Sequence, residues 1–514
     1  MSSRIGKGID EFTQALRHNT GIGAHTDAHR RAIFHALQFA NGREEVAIHH
    51  LSDVFDEIEL PQRQQVAETA HPDGNSGVLA SSSSSSVVFA VMRENSVHVV
   101  LKASLRDVAR SIYGALYDSL FVESRIYFRT IARLFNSLAT PHVTLALAIF
   151  ILDGKSGNTP VVDSDVHDAV AQRVIGNGTQ FLQFSGLTRA EAMNPDVLSH
   201  YLRSQPLRLV ALERASGETL HDWLMRQSTM PVSDYSMLFG WRIVLLQLIY
   251  TLACFAEVGL SHNDLHAGNV WLEKTSNDDS MQQLTRYAVS PTRAFYTRTP
   301  FSMRIYDFDH ATKVPTQYDE EELKNQSLDT NDFCGQDGEC HRRFNESTLK
   351  NEDGTHIYDI STWQDYETER RDKRLNAYYD LYALLANAHQ YTQNAPEVRA
   401  FIERVIAPSW LSAPFVSTLR FPYHLCMGSR SDILSPCEAP RPWELNLEDP
   451  SRPNMWPPHY LLLNDPFFAP NLEPPGIDRM VYDSCYALPS VRVEECGVGA
   501  VDENSATTRK RSRK

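Results

Sequence analysis

The sequence predicts an α+β fold in which a β-rich first part precedes a larger helical part. Two patterns carry this prediction. Apolar, largely β-branched runs typical of strands occupy residues 87–92, 97–102, 142–152 and 207–213. Apolar residues at helical spacing mark residues 117–138, and a longer, almost uniformly apolar helix is predicted for residues 233–258. With 514 residues, the chain is long enough for two or more folding units.

Composition narrows the classes of partner and compartment. The net charge of −15 argues against nucleic-acid binding. The seven cysteines lack the spacing of a disulfide framework, which predicts reduced thiols and an intracellular location. The first twenty residues contain no secretory signal, and the longest apolar run, residues 243–260, is interrupted by Gln247 and Glu257. We therefore expect a soluble protein with no membrane partner.

The most informative stretch is residues 260–272, which read Leu-Ser-His-Asn-Asp-Leu-His-Ala-Gly-Asn-Val-Trp-Leu. Asp264 precedes Asn269 by five residues in a polar loop, and a short apolar strand further on ends at Asp307. Phosphoryl transfer uses such a set of polar groups. Asp264 would accept the proton of the attacking hydroxyl, while Asn269 and Asp307 would hold Mg²⁺ on the phosphates of ATP.

An unbroken serine run precedes the first long strand and has two interpretations. It is either a flexible linker or a loop whose backbone amides and hydroxyls bind phosphate. We favour the phosphate loop, because β-branched runs flank the serines and form a predicted hairpin that ends on a lysine. The residues assigned to nucleotide binding in this region are Ser81, Ser83, Ser86 and Val88.

Lys102 lies inside an apolar predicted strand, where an unpaired ammonium group would be costly to desolvate. The following predicted helix offers Glu123 as its partner. A lysine held by a helix glutamate and directed at nucleotide phosphates is a device of protein kinases. The alternative is a lysine that extends from a strand edge into solvent.

The strand over residues 207–213 passes into an exposed segment. Backbone groups of Glu213 and Ala215 would there face an adenine ring.

The chain resembles members of the protein kinase superfamily in the order of its motifs. These are the serine loop, Lys102, Glu123, the loop with Asp264 and the triplet of residues 307–309. The His-Asn-Asp-Leu-His loop is most similar to that of serine/threonine kinases of large DNA viruses. The resemblance covers roughly residues 71–390. It implies a two-lobed protein-kinase-like fold, with a small β-rich N-lobe and a larger helical C-lobe. It also implies an ATP- and Mg²⁺-dependent enzyme that phosphorylates Ser/Thr hydroxyls of a protein substrate.

The resemblance further implies roles for residues around the catalytic loop. Lys102, positioned by Glu123, would hold the phosphates. His262 and Phe308 would pack in an internal spine rather than take part in the chemistry. Asp380, on a predicted buried helix, would anchor the backbone of the catalytic loop.

The resemblance divides the chain into four parts. Residues 1–70 form a helical N-terminal extension, and residues 71–213 form the N-lobe, with an insertion at about 153–206. Residues 214–430 form the C-lobe, with a long activation region at 312–375. Residues 431–514 are a proline- and aromatic-rich extension, which either wraps over the C-lobe or is mobile. It ends in a basic cluster that is either a nuclear import signal or a solvated terminus, so the expected compartment is cytoplasmic or nuclear.

Several residues depart from the kinase pattern. Asn263 replaces the arginine that pairs with an activation-loop phosphate, so control by such a phosphate is not expected. His266 replaces the usual lysine, and Asp309 replaces the usual glycine. The only Ala-Pro-Glu triplet, at residues 395–397, follows Asp380 and is therefore out of order.

These departures keep two alternatives open. Small-molecule kinases of the aminoglycoside and choline type use a His-x-Asp-x-His-x-x-Asn loop, which His262, Asp264, His266 and Asn269 match. A nucleotide-binding or scaffolding pseudokinase is the other alternative. The chain contains Lys102, Asp264, Asn269 and Asp307 together, which argues against a pseudokinase.

Overall fold

The computed structural model describes the part of the chain to which all following statements refer. The described residues are 30, 46–51, 57–59, 87–93, 96–106, 109–111, 119–153, 161–176, 182–184, 186–213, 217–230, 235–262, 265–274, 283–299, 301–308, 311–313, 373–406, 411, 458–472 and 484–491.

The described elements are strands and helices in an α+β arrangement, as predicted. The strands are β1 Val46–Ile48, β2 Glu57–Glu59, β3 Val87–Arg93, β4 Ser96–Leu105, β5 Ala109–Ser111, β6 Ala146–Leu152, β7 Leu182–Phe184, β8 Leu207–Glu213, β9 Gly217–Thr219, β10 Leu260–Ser261, β11 Val270–Lys274, β12 Gln283–Ser290, β13 Arg293–Thr299, β14 Phe301–Ile305, β15 Thr312–Lys313 and β16 Ser484–Ala487. The helices are α1 Ser119–Arg125, α2 Ala132–Asn136, α3 Val161–Gly176, α4 Arg189–Ala192, α5 Pro195–Arg203, α6 Leu220–Ser228, α7 Tyr235–Glu257, α8 Lys373–His389, α9 Pro396–Val405 and α10 Pro458–Asn464. A π-helical turn, Ile126–Ile131, joins α1 to α2.

The largest sheet has six strands in the order β1-β6-β8-β4-β3-β2. β1 joins β6 in parallel, and the other neighbours are antiparallel. Alternate residues of the central strands enter two apolar clusters. Val100 and Val210 face the cluster that contains α2, whereas Leu101 and Leu209 face the cluster built by α3 and α5. Because both faces are covered, β8 is apolar at nearly every position rather than at every second one.

The sheet begins earlier in the chain than predicted. The expectation of a helical extension through residue 70 is wrong for β1 and β2, which pair with β6 and β3. Strands of three residues show too little alternation to be recognised, and pairing with longer neighbours stabilises them. Of residues 1–45, the structure describes only Arg30, which is helical.

The insertion between β6 and β8 contains more helix than predicted. The helix expected near residues 190–202 is present as α4 and α5, and a capping box at Thr188 begins α4. The additional helix α3 was not predicted. Its valines recur at every fourth position, as Val162, Val166, Val170 and Val174, which is helical spacing within a stretch that is otherwise polar.

The helix α7 forms the core of the second half of the chain, and α8, α9 and α10 pack against it. Within α7, residues Leu238–Glu257 are long and apolar enough to cross a membrane, but 78% of the tested stretch is buried inside the protein. This burial is typical of a core helix of a soluble protein.

The C-terminal extension packs on the helical part over its described residues. Phe467 stacks on Phe401 with ring centroids 4.4 Å apart, and Phe468 contacts both rings edge-on. β16 extends the β12–β13 hairpin in parallel. Residues 458–472, within the proline-rich stretch, therefore pack on the helical part, which favours wrapping over a mobile tail for them; residues 484–491 join the sheet of β12 and β13.

His167 provides a test of the packing of α3. Its side chain is buried, and neither ring nitrogen has a hydrogen-bond partner in the described structure. Burial lowers the pKa of His167 from its usual value of 6.5, against the opposing effect of Asp163, Asp168 and Asp153. The unfolded chain then binds more protons, so stability is complete above pH 6.5 and falls as the pH drops below that value.

We therefore expect His167→Leu to flatten the pH dependence of the free energy of unfolding below pH 6.5. Urea titrations at pH 7.5, 6.5, 6.0 and 5.5 would measure this. His200→Leu, the same change at an exposed position of α5, is the matched control. Parallel curves for wild type and His167→Leu would contradict the expectation.

Candidate active site

Lys102 is the centre of the candidate site. It lies on β4 opposite Val88 and Val210, and its side chain is 3% exposed. Its Nζ atom lies 2.8 Å from Oε2 of Glu123 and 2.5 Å from Oδ1 of Asp307. Three distant segments of the chain, β4, α1 and the end of β14, therefore meet at one buried ammonium group.

Helix α1 positions Glu123, and the π-helical turn that follows it positions Tyr127. The two residues are four positions apart and so share one helix face. The backbone N–H of Asp307 donates to the hydroxyl oxygen of Tyr127 at 3.3 Å. Burial, reinforced by the charge of Glu123, raises the pKa of Tyr127 well above its usual value of 10, so the hydroxyl stays neutral. Glu123 and Tyr127 thus contact the side chain of Lys102 and the backbone of Asp307.

Asp307 has a φ of +67°, a left-handed conformation that is uncommon outside glycine. Aspartate tolerates it better than larger residues, and such strain is concentrated at functional sites. Asp307 follows β14, which pairs with β11 so that Ile305 lies opposite Val270. The N–H of Tyr306 donates to the carbonyl oxygen of Asn269 at 3.2 Å. Asn269 and Asp307, both buried, therefore lie at the same end of one strand pair.

Asp380 on α8 fixes the chain just before the polar loop. Its Oδ2 atom accepts from the backbone N–H of His262 at 2.6 Å and from the hydroxyl of Ser261 at 3.3 Å. The structure thus places Asp380 against the loop backbone, as the sequence predicts. A buried carboxylate with these donors holds the direction in which the loop leaves β10.

An aromatic cluster joins the loop to α1. The ring of Phe308 lies 4.9 Å from that of His262, 5.2 Å from that of Tyr127 and 5.9 Å from that of Phe255. The Nε2 atom of His262 lies 2.8 Å from the carbonyl oxygen of Tyr306. His262 and Phe308 are therefore packed in the interior, in agreement with the structural role expected of them.

The end of the loop is held by a 3₁₀ turn at Ala267–Asn269. His266 caps this turn, since its Nδ1 atom accepts from the N–H of Gly268 at 3.0 Å. The hydroxyl of Tyr306 donates to the carbonyl oxygen of Gly268. Burial, with the nearby charge of Asp307, raises the pKa of Tyr306 above its usual value of 10. The loop is thus anchored at Ser261 and His262 before it and at Gly268 after it.

Several residues predicted for the site lie outside the described residues, and their placement remains a prediction. They are Ser81, Ser83, Ser86, Ala215 and Asp264, together with Asn263 and Asp309. Val88 is half-buried and lies opposite Lys102 in the strand pairing. In the described residues no group of three or more His, Cys, Asp or Glu side chains is arranged to hold a metal by itself.

Glu213 differs from its expected role in one respect. Its backbone N–H donates to the carbonyl oxygen of Leu145 at 2.9 Å, and its Oε1 atom accepts from the N–H of Leu145 at 3.0 Å. This N–H group is therefore engaged within the protein. If Glu213 contacts adenine as the resemblance implies, its carbonyl group and not its N–H group would make the contact.

Sequence reasoning missed three residues of the site: Tyr127, Tyr306 and Arg30. A signal for Tyr127 was present, because it follows Glu123 by one helical turn. No comparable sequence pattern indicates Tyr306. Arg30 contacts Glu213 across 183 positions of the chain, and no local pattern indicates such a contact.

Comparison of the sequence with protein-family models and with curated proteins finds no match. The kinase resemblance therefore depends on the motifs of the chain and on the contacts described above.

Removal of the Tyr127 hydroxyl should weaken the site without disturbing its packing. In Tyr127→Phe the ring remains against Phe308, but the N–H of Asp307 loses its acceptor. We expect the free energy of unfolding to fall by about 1–3 kcal/mol, the cost of a buried unsatisfied donor. Urea denaturation would measure the loss. Tyr391→Phe, which removes an exposed hydroxyl, should change stability by a few tenths of a kcal/mol; equal losses in the two variants would contradict this assignment.

Proposed function

We propose that this protein is an ATP- and Mg²⁺-dependent phosphotransferase with a two-lobed protein-kinase-like fold. It transfers phosphate to Ser/Thr hydroxyls of a protein substrate. The observation that carries the proposal is the buried ammonium group of Lys102 between Glu123 and Asp307. Such a lysine, held by a helix glutamate beside the carboxylate of a strand end, suits the binding of nucleotide phosphates.

The charge of this cluster supports a cationic ligand. One ammonium group faces two carboxylates, so these three buried side chains together carry a net negative charge. A net charge in such surroundings is costly unless a counter-charge is bound. A divalent cation next to Asp307 reverses the sign of the cluster and makes it attractive to phosphate.

The residues present fit Mg²⁺. This cation prefers a few hard oxygen ligands from the protein and completes its coordination with phosphate and water. The amide of Asn269 and the carboxylate of Asp307 are such ligands, at the same end of the β11–β14 pair. When bound, Mg²⁺ supplies positive charge that stabilises the phosphates during transfer.

Asp264 is the proposed catalytic base. The segment that carries it is fixed on one side by the bond from His262 to Asp380 and on the other by the turn at Ala267–Asn269. Asp264 lies between these two anchors in the sequence. A carboxylate in this place would orient the substrate hydroxyl and accept its proton.

A small-molecule kinase is the second candidate. His266 favours it, because a histidine at this position belongs to the His-x-Asp-x-His-x-x-Asn loop of those enzymes. In the structure His266 caps the turn that contains Asn269, the proposed magnesium ligand.

A phosphotransfer assay separates the candidates. With ATP and Mg²⁺, the wild type should phosphorylate casein, histone or myelin basic protein. Asp264→Ala should reduce the rate about 100-fold or more, the contribution of a general base. Asp196→Ala, which removes an exposed carboxylate in the first turn of α5, is the control and should retain activity.

Transfer to a panel of amino-alcohols, with none to protein, would establish the small-molecule alternative. Nucleotide binding without any transfer would support a pseudokinase. Equal rates for wild type and Asp264→Ala would contradict the assigned base.

Lys102→Met tests the charge balance directly. The variant leaves Glu123 and Asp307 buried without their cation, so we expect a loss of about 3–5 kcal/mol in the free energy of unfolding without Mg²⁺. Mg²⁺ should restore part of this stability, because it binds Asp307 more strongly once the ammonium group is gone. Thermal unfolding at 0 and 10 mM MgCl₂ would measure both effects.

The control for this experiment is Arg226→Met, which breaks an exposed ion pair with Glu218. It should cost less than about 1 kcal/mol and show no response to Mg²⁺. An identical response of Lys102→Met and Arg226→Met to Mg²⁺ would count against a cation site at Asp307.

A further inference from the structure

Arg30 is buried in the interior, and its side chain donates hydrogen bonds to residues that lie 111 to 183 positions away in the sequence. Its Nη1 atom donates to the carbonyl oxygen of Pro141 at 2.8 Å, and its Nη2 atom donates to that of Val143 at 2.6 Å. Its Nε atom donates to the carboxylate of Glu213 at 3.0 Å, and Nη2 contacts the same carboxylate. The guanidinium also lies 4.8 Å from the ring centroid of Phe135. All faces of this group are therefore engaged by the protein.

These bonds fix the end of β8 to the segment that precedes β6. Glu213 is the last residue of β8, and its carboxylate accepts both from Arg30 and from the N–H of Leu145. The carbonyl groups of Pro141 and Val143 belong to the same preceding segment. Arg30 thus joins the point where the chain leaves the sheet to residues 141–145.

The network continues to the strands that carry the proposed magnesium ligands. The carbonyl oxygen of Pro141 also accepts from Nη1 of Arg304 at 2.7 Å. The Nη2 atom of Arg304 lies 2.6 Å from the carboxylate of Glu273. Arg304 is on β14, three positions before Asp307, and Glu273 is on β11, four positions after Asn269. Two guanidinium groups therefore meet at one carbonyl oxygen between the end of β8 and the β11–β14 pair.

We propose that Arg30 is a positioning residue for nucleotide binding. It would hold the backbone of Glu213, the expected contact of the adenine ring, at a fixed place relative to Asn269 and Asp307, the proposed magnesium ligands. This inference rests on the proposed function, since it assumes that the nucleotide lies between the end of β8 and the end of the β11–β14 pair. It gives a role to a residue of the N-terminal extension, to which the sequence assigned none.

The chemistry of the contacts requires arginine. The planar guanidinium reaches a carboxylate and two carbonyl groups at once, which the single ammonium group of lysine does not reproduce. Its charge is compensated by Glu213, and two further N–H groups donate to the carbonyl oxygens of Pro141 and Val143, which lowers the cost of burying the cation. Loss of these bonds leaves Glu213 held by its bonds to Leu145 and by its pairing with Val99 of β4.

The test compares two ligands that share phosphates but differ in the base. Arg30→Met keeps an apolar side chain against Phe135 and removes every polar contact. We expect the Kd of Mg·ADP, measured by calorimetry, to rise about tenfold, because the adenine contact is displaced. The Kd of Mg·tripolyphosphate should stay within about twofold of wild type, because it senses only the phosphate end. In the transfer assay, KM for ATP should rise with kcat nearly unchanged.

Two further variants test whether Arg30 affects nucleotide binding through Glu213. Arg30→Met combined with Glu213→Gln should weaken Mg·ADP binding no more than Arg30→Met alone, because the arginine acts through the glutamate. Arg203→Met removes an arginine–carboxylate pair with Asp168 and is the matched control. It should leave both Kd values unchanged. If Arg30→Met fails to fold, Arg30→Lys takes its place, with the same difference between the two ligands expected.

The outcomes are distinguishable. Unchanged Mg·ADP binding in Arg30→Met, or equal weakening of both ligands, overturns the positioning role and leaves the proposed function intact. A fall in stability alone, with both Kd values unaltered, shows a purely structural arginine and also overturns it. A wild type that binds neither ligand overturns the proposed function and this inference together.

Discussion

The ammonium group of Lys102 between two buried carboxylates is the constraint on which the rest of the structure depends. A strand, a helix and a strand end must meet within hydrogen-bond distance of one atom. A different structural feature positions each of them. The strand β4 is paired with β3 and β8, and the helix α1 continues into the π-helical turn. Asp307 has a left-handed backbone conformation. Displacement of any of the three leaves an unpaired charge in the interior, so the cluster couples the positions of β4, α1 and the end of β14.

Contacts around this cluster form two routes between its elements. The apolar route passes through the ring of Phe308, which contacts both the helix that follows Glu123 and the loop residue His262. The polar route passes through Arg30, the carbonyl group of Pro141 and Arg304. The ring contacts of Phe308 tolerate small shifts of the rings, whereas the hydrogen bonds of Arg30 and Arg304 require a fixed direction for each donor. Together they define how the sheet lies on the loop that carries the candidate catalytic residues.

The sequence predicts the structure correctly where a local residue pattern defines an element, or where a buried charge requires a partner of opposite charge. The α+β class, α7 and the pairing of Lys102 with Glu123 followed from periodicity and from the cost of a buried ammonium group. The short strands β1 and β2 were missed because neighbouring strands, not their own residues, stabilise them. The contacts of Arg30 were out of reach for the same reason, since they join parts of the chain 183 positions apart. The φ of Asp307 likewise reflects its surroundings, as aspartate alone does not favour it.

The pairing of β16 with β12 has a consequence for the way the chain folds. Ser490, just after β16, bonds to Glu257 at the end of α7 across 233 positions of sequence. During synthesis, the surfaces of α7 and β12 that receive this segment are made long before it leaves the ribosome. Contacts between such distant positions form slowly, and exposed apolar surface favours aggregation while they are incomplete. Chaperone demand and yield on expression should therefore depend on the last part of the chain, although it lies outside the candidate site.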